Sequence, residues 1–480
     1  MQSFTVDDIL QIQLSGDVNQ AEYLYLQGLQ QNPDDWVILF HLSILYQEQE
    51  KYPLAAMLLE QALRIQPNKF EICSNLGIIY RLQDQHERAK KYLELGMELS
   101  DGKDPDVYVN LGSLYVNEGN PEKGEHILRD GLALDKNNEL IRWNLSLCLL
   151  ELGKWSEAWE HYKYGKIPNV QRMPQGADEE KFVPRVTRAE RQRRWIAFPE
   201  WEKEKATVIL YGEQGLGDEI MFLSMLPDVL KDADKVILEC HPRLEKMINR
   251  CYPMVQTSPT RKMQYCPSAM EFDYHRALGD LGGLYRNSAK SFPGTAYLQA
   301  DQDLVQMYRE RLEQLGPGPY YGLGWRGGYN KTKKKLRSLK LNDFKPILDE
   351  PGIFISMQYD KGADIEVSTF CHETGYKIHH WPEVVREDDY DHTAALAMAL
   401  DQIICCNTTL VHLCGALGRS CWSLTPKRPA WRYQLKGPMP WYKSVTLLRQ
   451  DDDNDWSAPV NQAIELMRGD TQCKQSPQSI

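Results

Sequence analysis

The 480-residue sequence predicts two successive architectures: an all-α array of helical hairpins, followed by an α/β region built as two doubly wound halves. Two observations lead to this prediction. Small residues recur at spacings of 34 or 35 positions through the first third of the chain, which indicates stacked helical repeats. From about residue 205, short apolar runs alternate with amphipathic segments, which indicates parallel strands joined by helices.

Composition and charge limit the classes of function. The 42% hydrophobic and 26% charged content is typical of a soluble globular protein. No apolar run approaches the ~18 residues of a membrane-spanning helix, and the opening MQSFTVDDILQIQ lacks the features of a secretory signal. We therefore expect a cytoplasmic protein without membrane insertion. The net charge of −11 argues against nucleic-acid binding, and the 11 cysteines contain no C-x-x-C pair, which favours reduced thiols.

The repeats are defined by small residues on the second helix of each hairpin. They occur at Ala21, Ala55, Ala89, Gly124 and Ala158, and seven positions later at Gly28, Ala62, Gly96, Gly131 and Gly165. The partner helices carry Tyr46, Tyr80 and Tyr115 at the same period. This pattern resembles the tetratricopeptide repeat (TPR) over about residues 8–165. A TPR solenoid has a concave face, so we expect a protein or peptide partner there; a scaffold or a homo-oligomer is the alternative.

The changes of pattern predict the domain boundaries. They give a TPR domain at 1–165, a connector at 166–204, α/β halves at 205–305 and 306–470, and a flexible tail at 471–480. ATVILY and KVILEC are predicted strands of the first half, and YYGLGW, IFISMQ, DQIICC and CWSLTP of the second. Ligands of such sheets bind beyond the carboxyl ends of the strands.

The segment GEQGLGDE, residues 212–219, follows the first of these strands. It has neither the GxGxxG spacing of a dinucleotide loop nor the Gly-Lys-Ser/Thr ending of a nucleoside-triphosphate loop. Its glycines allow close approach of a substrate, and Asp218 stands at the head of the next helix. Asp218 is either a catalytic carboxylate or an N-cap, and Glu213 and Glu219 are rival bases.

The segment CNTTLVH, residues 406–412, combines a buried strand, a polar loop and a helix start. Asn407, Thr408 and Thr409 are candidates for binding an anion at the helix N-terminus, and His412 lies on the same face. His412 is otherwise an interior histidine. Arg326 precedes the basic run KTKKKLRSLK, and Arg337 lies within it. Both are further candidates for binding phosphate, because guanidinium pairs bidentately with phosphate. Trp431 and Trp441 either cover a base or sugar face or pack in the interior.

Taken in order, GEQGLGDEIMFLSMLP, RSLKLNDFKPIL, ISMQYD, the CNTTLVHLCGALG region and PWYKSVTLLRQ resemble bacterial TPR glycosyltransferases whose catalytic part is similar to lipopolysaccharide heptosyltransferases. The resemblance covers nearly the whole chain. It implies a GT-B fold of two Rossmann-like halves and inverting, metal-independent transfer, with a nucleotide sugar as substrate and no cofactor. The chain departs from the family in having Cys406 and Asn407 where valine and aspartate are usual.

The resemblance also implies roles for particular residues. Asp218 would be the base, in a loop with Gly215, Gly217 and Glu219 on the acceptor side, and the C-terminal half would hold the nucleotide sugar. By the resemblance, Thr408, Thr409 and His412 would hold the phosphates of the donor. Asn407, Arg326 and Arg337 are further candidates for phosphate binding, and Gln358, Trp325 and Trp431 are candidates for other contacts with the donor.

These observations favour sugar transfer to a protein hydroxyl recruited by the TPR domain. The alternatives are a non-catalytic TPR adaptor and a glycosyltransferase acting on a glycan or lipopolysaccharide. A nicotinamide oxidoreductase is disfavoured because no GxGxxG follows a leading strand. The donor nucleotide, the sugar and the acceptor stay open.

Overall fold

A computed structural model describes residues 4–165, 207–212, 214–259, 274–327, 334–360, 362–385, 389–453 and 455–469. By contacts, the chain divides into two compact units, Met1–Leu149 and Leu150–Ile480. The predicted connector at 166–204, the tail at 471–480 and Glu213 lie outside the described residues.

The first unit is a TPR solenoid of consecutive antiparallel helices. Their bounds are α1 (Val6–Leu14), α2 (Val18–Gln31), α3 (Trp36–Glu48), α4 (Tyr52–Ile65), α5 (Phe70–Leu82), α6 (His86–Leu99), α7 (Pro105–Asn117), α8 (Pro121–Leu134) and α9 (Glu139–Glu151). The small residues lie where helices touch: a Cβ added at Gly124 would stand 2.7 Å from Val116 Cγ2 and 3.0 Å from the Gly112 carbonyl oxygen. Close helix approach therefore explains the period of the small residues.

The recurring tyrosines form a second repeated contact. The hydroxyl of Tyr46 donates to Glu22 Oε1 at 3.1 Å, and Tyr80 makes the same bond to Glu60. A cation lies over each ring, with Arg88 4.4 Å from the Tyr80 centroid. Each tyrosine thus joins the last helix of one repeat to the first helix of the next, because its ring is buried while its hydroxyl reaches the preceding helix.

The second unit begins with helix α10 (Trp155–Tyr162), which the sequence assigns to the repeats. Trp159 is 2% exposed, and its indole Nε1 donates to the carbonyl oxygen of Arg286 at 2.8 Å. Its ring also meets Trp431 edge to face at 6.2 Å. The compact units therefore divide before α10 rather than at residue 165, because the aromatic residues of this helix are buried in the α/β unit.

The first sheet has four parallel strands in the order β3-β2-β1-β4. They are β1 (Thr207–Tyr211), β2 (Lys235–Cys240), β3 (Gln256–Pro259) and β4 (Tyr274–Ala277). The associated helices are α11 (Leu216–Phe222), α12 (Leu226–Asp232), α13 (Glu245–Cys251) and α14 (Gly282–Tyr285). The predicted strands ATVILY and KVILEC are confirmed, and their apolar residues are buried.

The second sheet has six parallel strands in the order β10-β9-β8-β5-β6-β7. They are β5 (Tyr320–Gly324), β6 (Ile353–Ser356), β7 (Ile378–His380), β8 (Gln402–Cys406), β9 (Cys421–Thr425) and β10 (Val445–Arg449). The helices are α15 (Gln302–Glu313), α16 (Lys345–Leu348), α17 (Ala363–Thr374), α18 (Asp391–Ala399), α19 (Thr409–Leu417) and α20 (Ser457–Met467). Counted from β5, this order is 3-2-1-4-5-6, the doubly wound arrangement of dinucleotide-binding sheets.

None of the helices in the described ranges combines the length and the apolar character needed to cross a membrane.

Candidate functional site

The candidate site lies where the strand order of each sheet reverses. In the first sheet this point is between β1 and β4, and in the second it is between β5 and β8. Loops leaving adjacent strands in opposite directions open a crevice there, at the carboxyl ends of the strands. GEQGLGDE leaves β1 and CNTTLVH leaves β8, so both motifs predicted from the sequence lie at these crevices.

The two motifs are in direct contact. A Cβ added at Gly217 would stand 3.2 Å from His412 Cδ2 and 3.4 Å from Thr409 Oγ1. The start of α11 therefore packs on the start of α19, and a side chain at position 217 would hold them apart. Gly217 therefore allows this helix contact, and its predicted role in giving an acceptor room stays a prediction.

Asp218 stands at the third position of α11, not at its N-cap. The N-cap is Gly215, whose N–H donates to Asp218 Oδ2 at 3.3 Å. Asp218 also forms an ion pair with Arg432, which follows β9, and the two side chains are 13% and 16% exposed. Burial lowers the pKa of Arg432, but the charge and hydrogen bond of Asp218, together with Tyr433 and Tyr162, raise it by more, so the pKa is raised. The predicted cap is therefore corrected: the carboxylate accepts from the cap residue and faces a cation across the crevice.

Glu219, the rival base, is buried, and its carboxylate contacts other groups than Arg432. Its Oε1 accepts from the backbone N–H of His241 at 2.6 Å, and its Oε2 lies so close to Gly212 that an added Cβ would stand 2.5 Å away. Burial raises the pKa of Glu219 from its ordinary 4.5 to about 7, and the bond from His241 only partly offsets this. Glu219 thus ties the loop after β1 to the end of β2.

The start of α19 presents polar groups to the crevice. Thr408 is the N-cap, and its Oγ1 accepts from Leu410 N at 3.3 Å. Thr409 is the first residue of the helix. Asn407 is 2% exposed; its Oδ1 accepts from Ser423 at 2.7 Å and from Thr425 at 3.1 Å. Its Nδ2 has no hydrogen-bond partner among the described residues, so a buried donor stands beside the positive end of the helix.

His412 does not reach the crevice as a free donor. It is 3% exposed, with Nδ1 3.3 Å from the Tyr442 hydroxyl and Nε2 3.1 Å from the Tyr433 hydroxyl. Burial, reinforced by the charges of Arg432 and Arg337, lowers its pKa from 6.5 to about 3. His412 is therefore a neutral interior residue whose two ring nitrogens already have tyrosine partners, and its contact with phosphate stays a prediction.

Three candidates after β5 and β6 form a closed network. Arg326 is paired with Asp360 at 2.5 Å and with Glu366. Gln358 is 1% exposed: its Oε1 accepts from the backbone of Trp325 and Arg326, and its Nε2 donates to the Arg326 carbonyl oxygen and Asp360. Trp325 is fully buried. These side chains shape the loop after β5 and bond to each other or to neighbouring carboxylates, and their contact with a donor stays a prediction.

Arg337 occupies the position that the sequence predicted beside the phosphate candidates. Its Nη1 lies 3.5 Å from the carbonyl oxygen of Asn407, at the start of α19. Its charge contributes to lowering the pKa of His412, and it partly opposes the burial that raises the pKa of Tyr433. Arg337 and Arg432 therefore bring two cations to the crevice from opposite loops.

Trp431 and Trp441 are packing residues. They are 7% and 2% exposed, and their rings meet Phe222 at 6.4 and 5.9 Å. The ring of Trp431 belongs to this aromatic cluster, and its contact with a donor stays a prediction. In the part of the chain that the structure describes, no group of three or more His, Cys, Asp or Glu side chains could hold a metal ion.

Sequence reasoning missed the residues that complete the site. Arg432 is 214 positions from Asp218 in the chain, and Tyr433 and Tyr442 fix His412 from the same segment. Arg432 lies in the segment KRPAWRYQLKG, residues 427–437, where its residue type alone was the available signal.

The comparisons identify the repeats. The tetratricopeptide repeat family model matches residues 70–102 and 105–138. Protein FlbA of Caulobacter vibrioides is 28% identical over 345 residues, which cover 68% of this chain and 55% of that protein. This chain thus spans about half the length of the curated relative it matches.

Two solved structures are similar over about a third of the chain. They are Pseudomonas aeruginosa PilF (TM-score 0.31, 18% identity, 33% of this chain and 72% of that chain) and MamA from Desulfovibrio magneticus RS-1 (TM-score 0.30, 19% identity, 32% and 88%).

Proposed function

We propose that the protein is an inverting, metal-independent glycosyltransferase with a GT-B arrangement of its two α/β halves. The observation that supports this best is the meeting of the two crevices: a carboxylate at the start of α11 lies against the polar N-terminus of α19, with Arg432 and Arg337 beside them. This places a candidate base next to a candidate phosphate site, which is the pairing that sugar transfer from a nucleotide-diphosphate sugar requires.

The proposed donor site is the N-terminus of α19. The diphosphate would accept hydrogen bonds from backbone N–H groups after Thr408 and from Asn407 Nδ2, which is buried without a partner among the described residues. Arg337 would add charge from the loop after β5. His412 acts indirectly in this proposal: held by two tyrosines, it supports the first turn of the helix.

In the proposed chemical step, Asp218 takes the proton of an acceptor hydroxyl. The acceptor oxygen forms a bond to the anomeric carbon while the bond from that carbon to the diphosphate oxygen breaks. The nucleoside diphosphate leaves with the electron pair, and the configuration at the sugar inverts. The TPR unit would supply the acceptor, a protein hydroxyl, because TPR repeats suggest protein or peptide partners.

Asp218→Asn tests the assignment, and Asp343→Asn is its matched control. Asp343 also stands at the third position of a helical turn and accepts from the backbone N–H of Lys340 at 2.7 Å, outside the crevice. Products formed from a panel of nucleotide sugars and host lysate are identified by mass spectrometry. We expect Asp218→Asn to lose at least a hundredfold in rate, in the range for a general base, and Asp343→Asn to keep its activity. Equal activity of Asp218→Asn and the parent would refute the base.

A second candidate function is a non-catalytic TPR adaptor. It is favoured by the TPR match and by the ion pair, which engages the Asp218 carboxylate. Calorimetric titration of the full chain with UDP-, GDP-, ADP-, TDP- and CMP-sugars separates the two functions. A transferase binds at least one of them, and Asn407→Ala weakens that binding; binding of none supports the adaptor.

A further inference from the structure

The first helices of the repeats, α3, α5, α7 and α9, share a face that is exposed or half-buried. Its positions follow one another at spacings of four and three residues, so they form one stripe along each helix. We call this the inner face; on α5 and α7 it consists of Glu71, Asn75, Ile78, Asp106, Asn110 and Ser113. Stacking of the repeats places the stripes side by side, since Ser113 Oγ in α7 donates to Asn144 Oδ1 in α9 at 2.9 Å.

Amides and apolar side chains recur along the inner face. Asn75, Asn110 and Asn144 occupy the same position of three successive first helices, and Ile44 and Ile78 occupy the next position of the stripe. The amides are held along their helices: Nδ2 of Asn75 and of Asn144 donates to the carbonyl oxygen four residues earlier, at 2.9 and 2.8 Å. A side-chain amide both donates and accepts, as a peptide group does, so this row suits the main chain of an extended peptide.

The inner face is negatively charged at the starts of α5 and α7. Glu71 and Asp106 are exposed there, and Asp104, the N-cap of α7, is half-buried between them. Burial raises the pKa of Asp104, and the charges of Asp106 and Glu71 raise it further, although a bond from the Asp106 backbone N–H opposes this. Three carboxylates thus lie close enough to repel one another.

Cations of the solenoid do not neutralise these carboxylates. None of the ion pairs among the described residues of the solenoid involves them. The lysines nearest in sequence are engaged elsewhere: Lys69 lies 5.2 Å from the centroid of the Trp36 ring, and Lys103 Nζ lies 3.2 Å from Asp101 Oδ2. The inner face therefore attracts a positively charged partner.

We propose that the inner face binds an extended peptide segment rich in arginine or lysine. Its main chain follows the row of asparagines, a basic side chain meets Glu71, Asp104 and Asp106, and apolar side chains pack on Ile44 and Ile78. The proposal names the chemistry of the partner that the TPR unit recruits in the proposed function, and so rests on it, but the binding itself requires no sugar transfer.

Isothermal titration of the full chain with a synthetic peptide built from the repeating unit Ser-Arg-Leu tests this proposal. A length of about 12 residues spans ~40 Å when extended, roughly the width of four packed helices. Two matched peptides replace arginine by citrulline, which has the same shape without the charge, or by glutamate. We expect the arginine peptide to bind at least tenfold more tightly than the citrulline peptide, and the glutamate peptide not to bind.

Two double variants locate the binding on the inner face. Glu71→Gln with Asp106→Asn should weaken the arginine peptide at least tenfold and leave the affinity for the citrulline peptide unchanged. The matched control is Glu87→Gln with Glu122→Gln. These exposed residues occupy the same second position of the second helices α6 and α8, so the control loses the same net charge and the same charge at helix starts. The control should bind as the parent does.

A third variant separates this proposal from the proposed function. Asp218→Asn, in the candidate site, should bind the arginine peptide as the parent does, so a failure of transfer and a failure of peptide binding are distinct results. The proposal is overturned if the arginine peptide does not bind the parent, if the citrulline or glutamate peptide binds equally well, or if the two double variants weaken binding to the same extent.

Discussion

Replacing Glu219 with glutamine should remove a pH dependence from the stability of the α/β unit. The carboxyl group is buried, and burial raises its pKa to about 7. Glutamine has the same shape, and its side-chain oxygen can still accept the bond from the His241 backbone, which Glu219 Oε1 accepts at 2.6 Å. The variant therefore mimics the protonated carboxyl group at every pH.

The size and sign of the effect follow from the two pKa values. With 4.5 in the unfolded chain and about 7 in the folded one, the folded state holds the proton more tightly between these values. Stability due to this group is fully present below pH 4.5 and falls as the pH rises to about 7. At about 1.4 kcal/mol per pKa unit, the loss is on the order of 3 kcal/mol. His412 titrates with the opposite sign, but it does so equally in both proteins and cancels in their difference.

The measurement is guanidinium unfolding of the parent, Glu219→Gln and the control Glu373→Gln at several pH values from 5 to 8.5. Tryptophan fluorescence reports mainly on the α/β unit, since of 12 tryptophans only Trp36 and Trp143 precede Leu150 in the sequence. We expect Glu219→Gln to gain about 3 kcal/mol relative to the parent between pH 5 and 8.5. The exposed Glu373 should give no such gain. Parallel pH profiles for the parent and Glu219→Gln would refute a buried, protonated Glu219.

Three other changes test the loop, the helix contact and the repeats. Tyr162→Phe removes the hydroxyl that accepts a hydrogen bond from Gln214 Nε2, and this bond helps to hold Gln214 at a left-handed φ of 60°. We expect the variant to lose at least fivefold in the rate of transfer with little change in Tm. An unchanged rate would contradict this role of the bond. Gly217→Ala places a methyl group against His412, whose ring is fixed by two tyrosines. The free energy of unfolding, measured by denaturation, should therefore fall by about 1–3 kcal/mol. No loss would mean that α11 and α19 move apart freely. Tyr80→Phe keeps the ring beneath Arg88 but deletes the hydrogen bond to Glu60. The free energy of unfolding of the solenoid, followed by circular dichroism, should fall by about 1 kcal/mol. No fall would mean that this bond is too exposed to water to stabilise the solenoid.

The helices and strands that could be predicted from the sequence are those that a local pattern of residues determines. The small residues at the 34-residue period place the solenoid helices, and apolar runs such as KVILEC place the central strands, because burial on both faces demands continuous apolar residues. The missed strands β3 (QTSP) and β4 (YHRA) are short and polar and lie at the edges of their sheet, where that demand is weak.

The contacts that could not be predicted from the sequence are those between side chains that are distant in the chain. The sequence correctly placed Asp218 at the start of its helix, but the cation that pairs with it, Arg432, comes from the loop after β9 in the second sheet. His412 has the residue type of a phosphate ligand, and only the two tyrosines that meet its ring make it an interior residue. Chemical type thus identified the crevice, while burial and pairing decided which side chains face it.

The Asp218–Arg432 pair gives the proposed transferase an order of binding. Asp218 is paired with Arg432, and Arg337 lies at the start of α19, so a diphosphate arriving at α19 would compete with Asp218 for Arg432 and release the carboxylate to act as a base. We therefore expect the donor to bind before the acceptor reacts. In product-inhibition kinetics, the nucleoside diphosphate should compete with the donor but not with the acceptor, and Arg432→Gln should make the order random. Random order in the parent would mean that Asp218 is available without the donor.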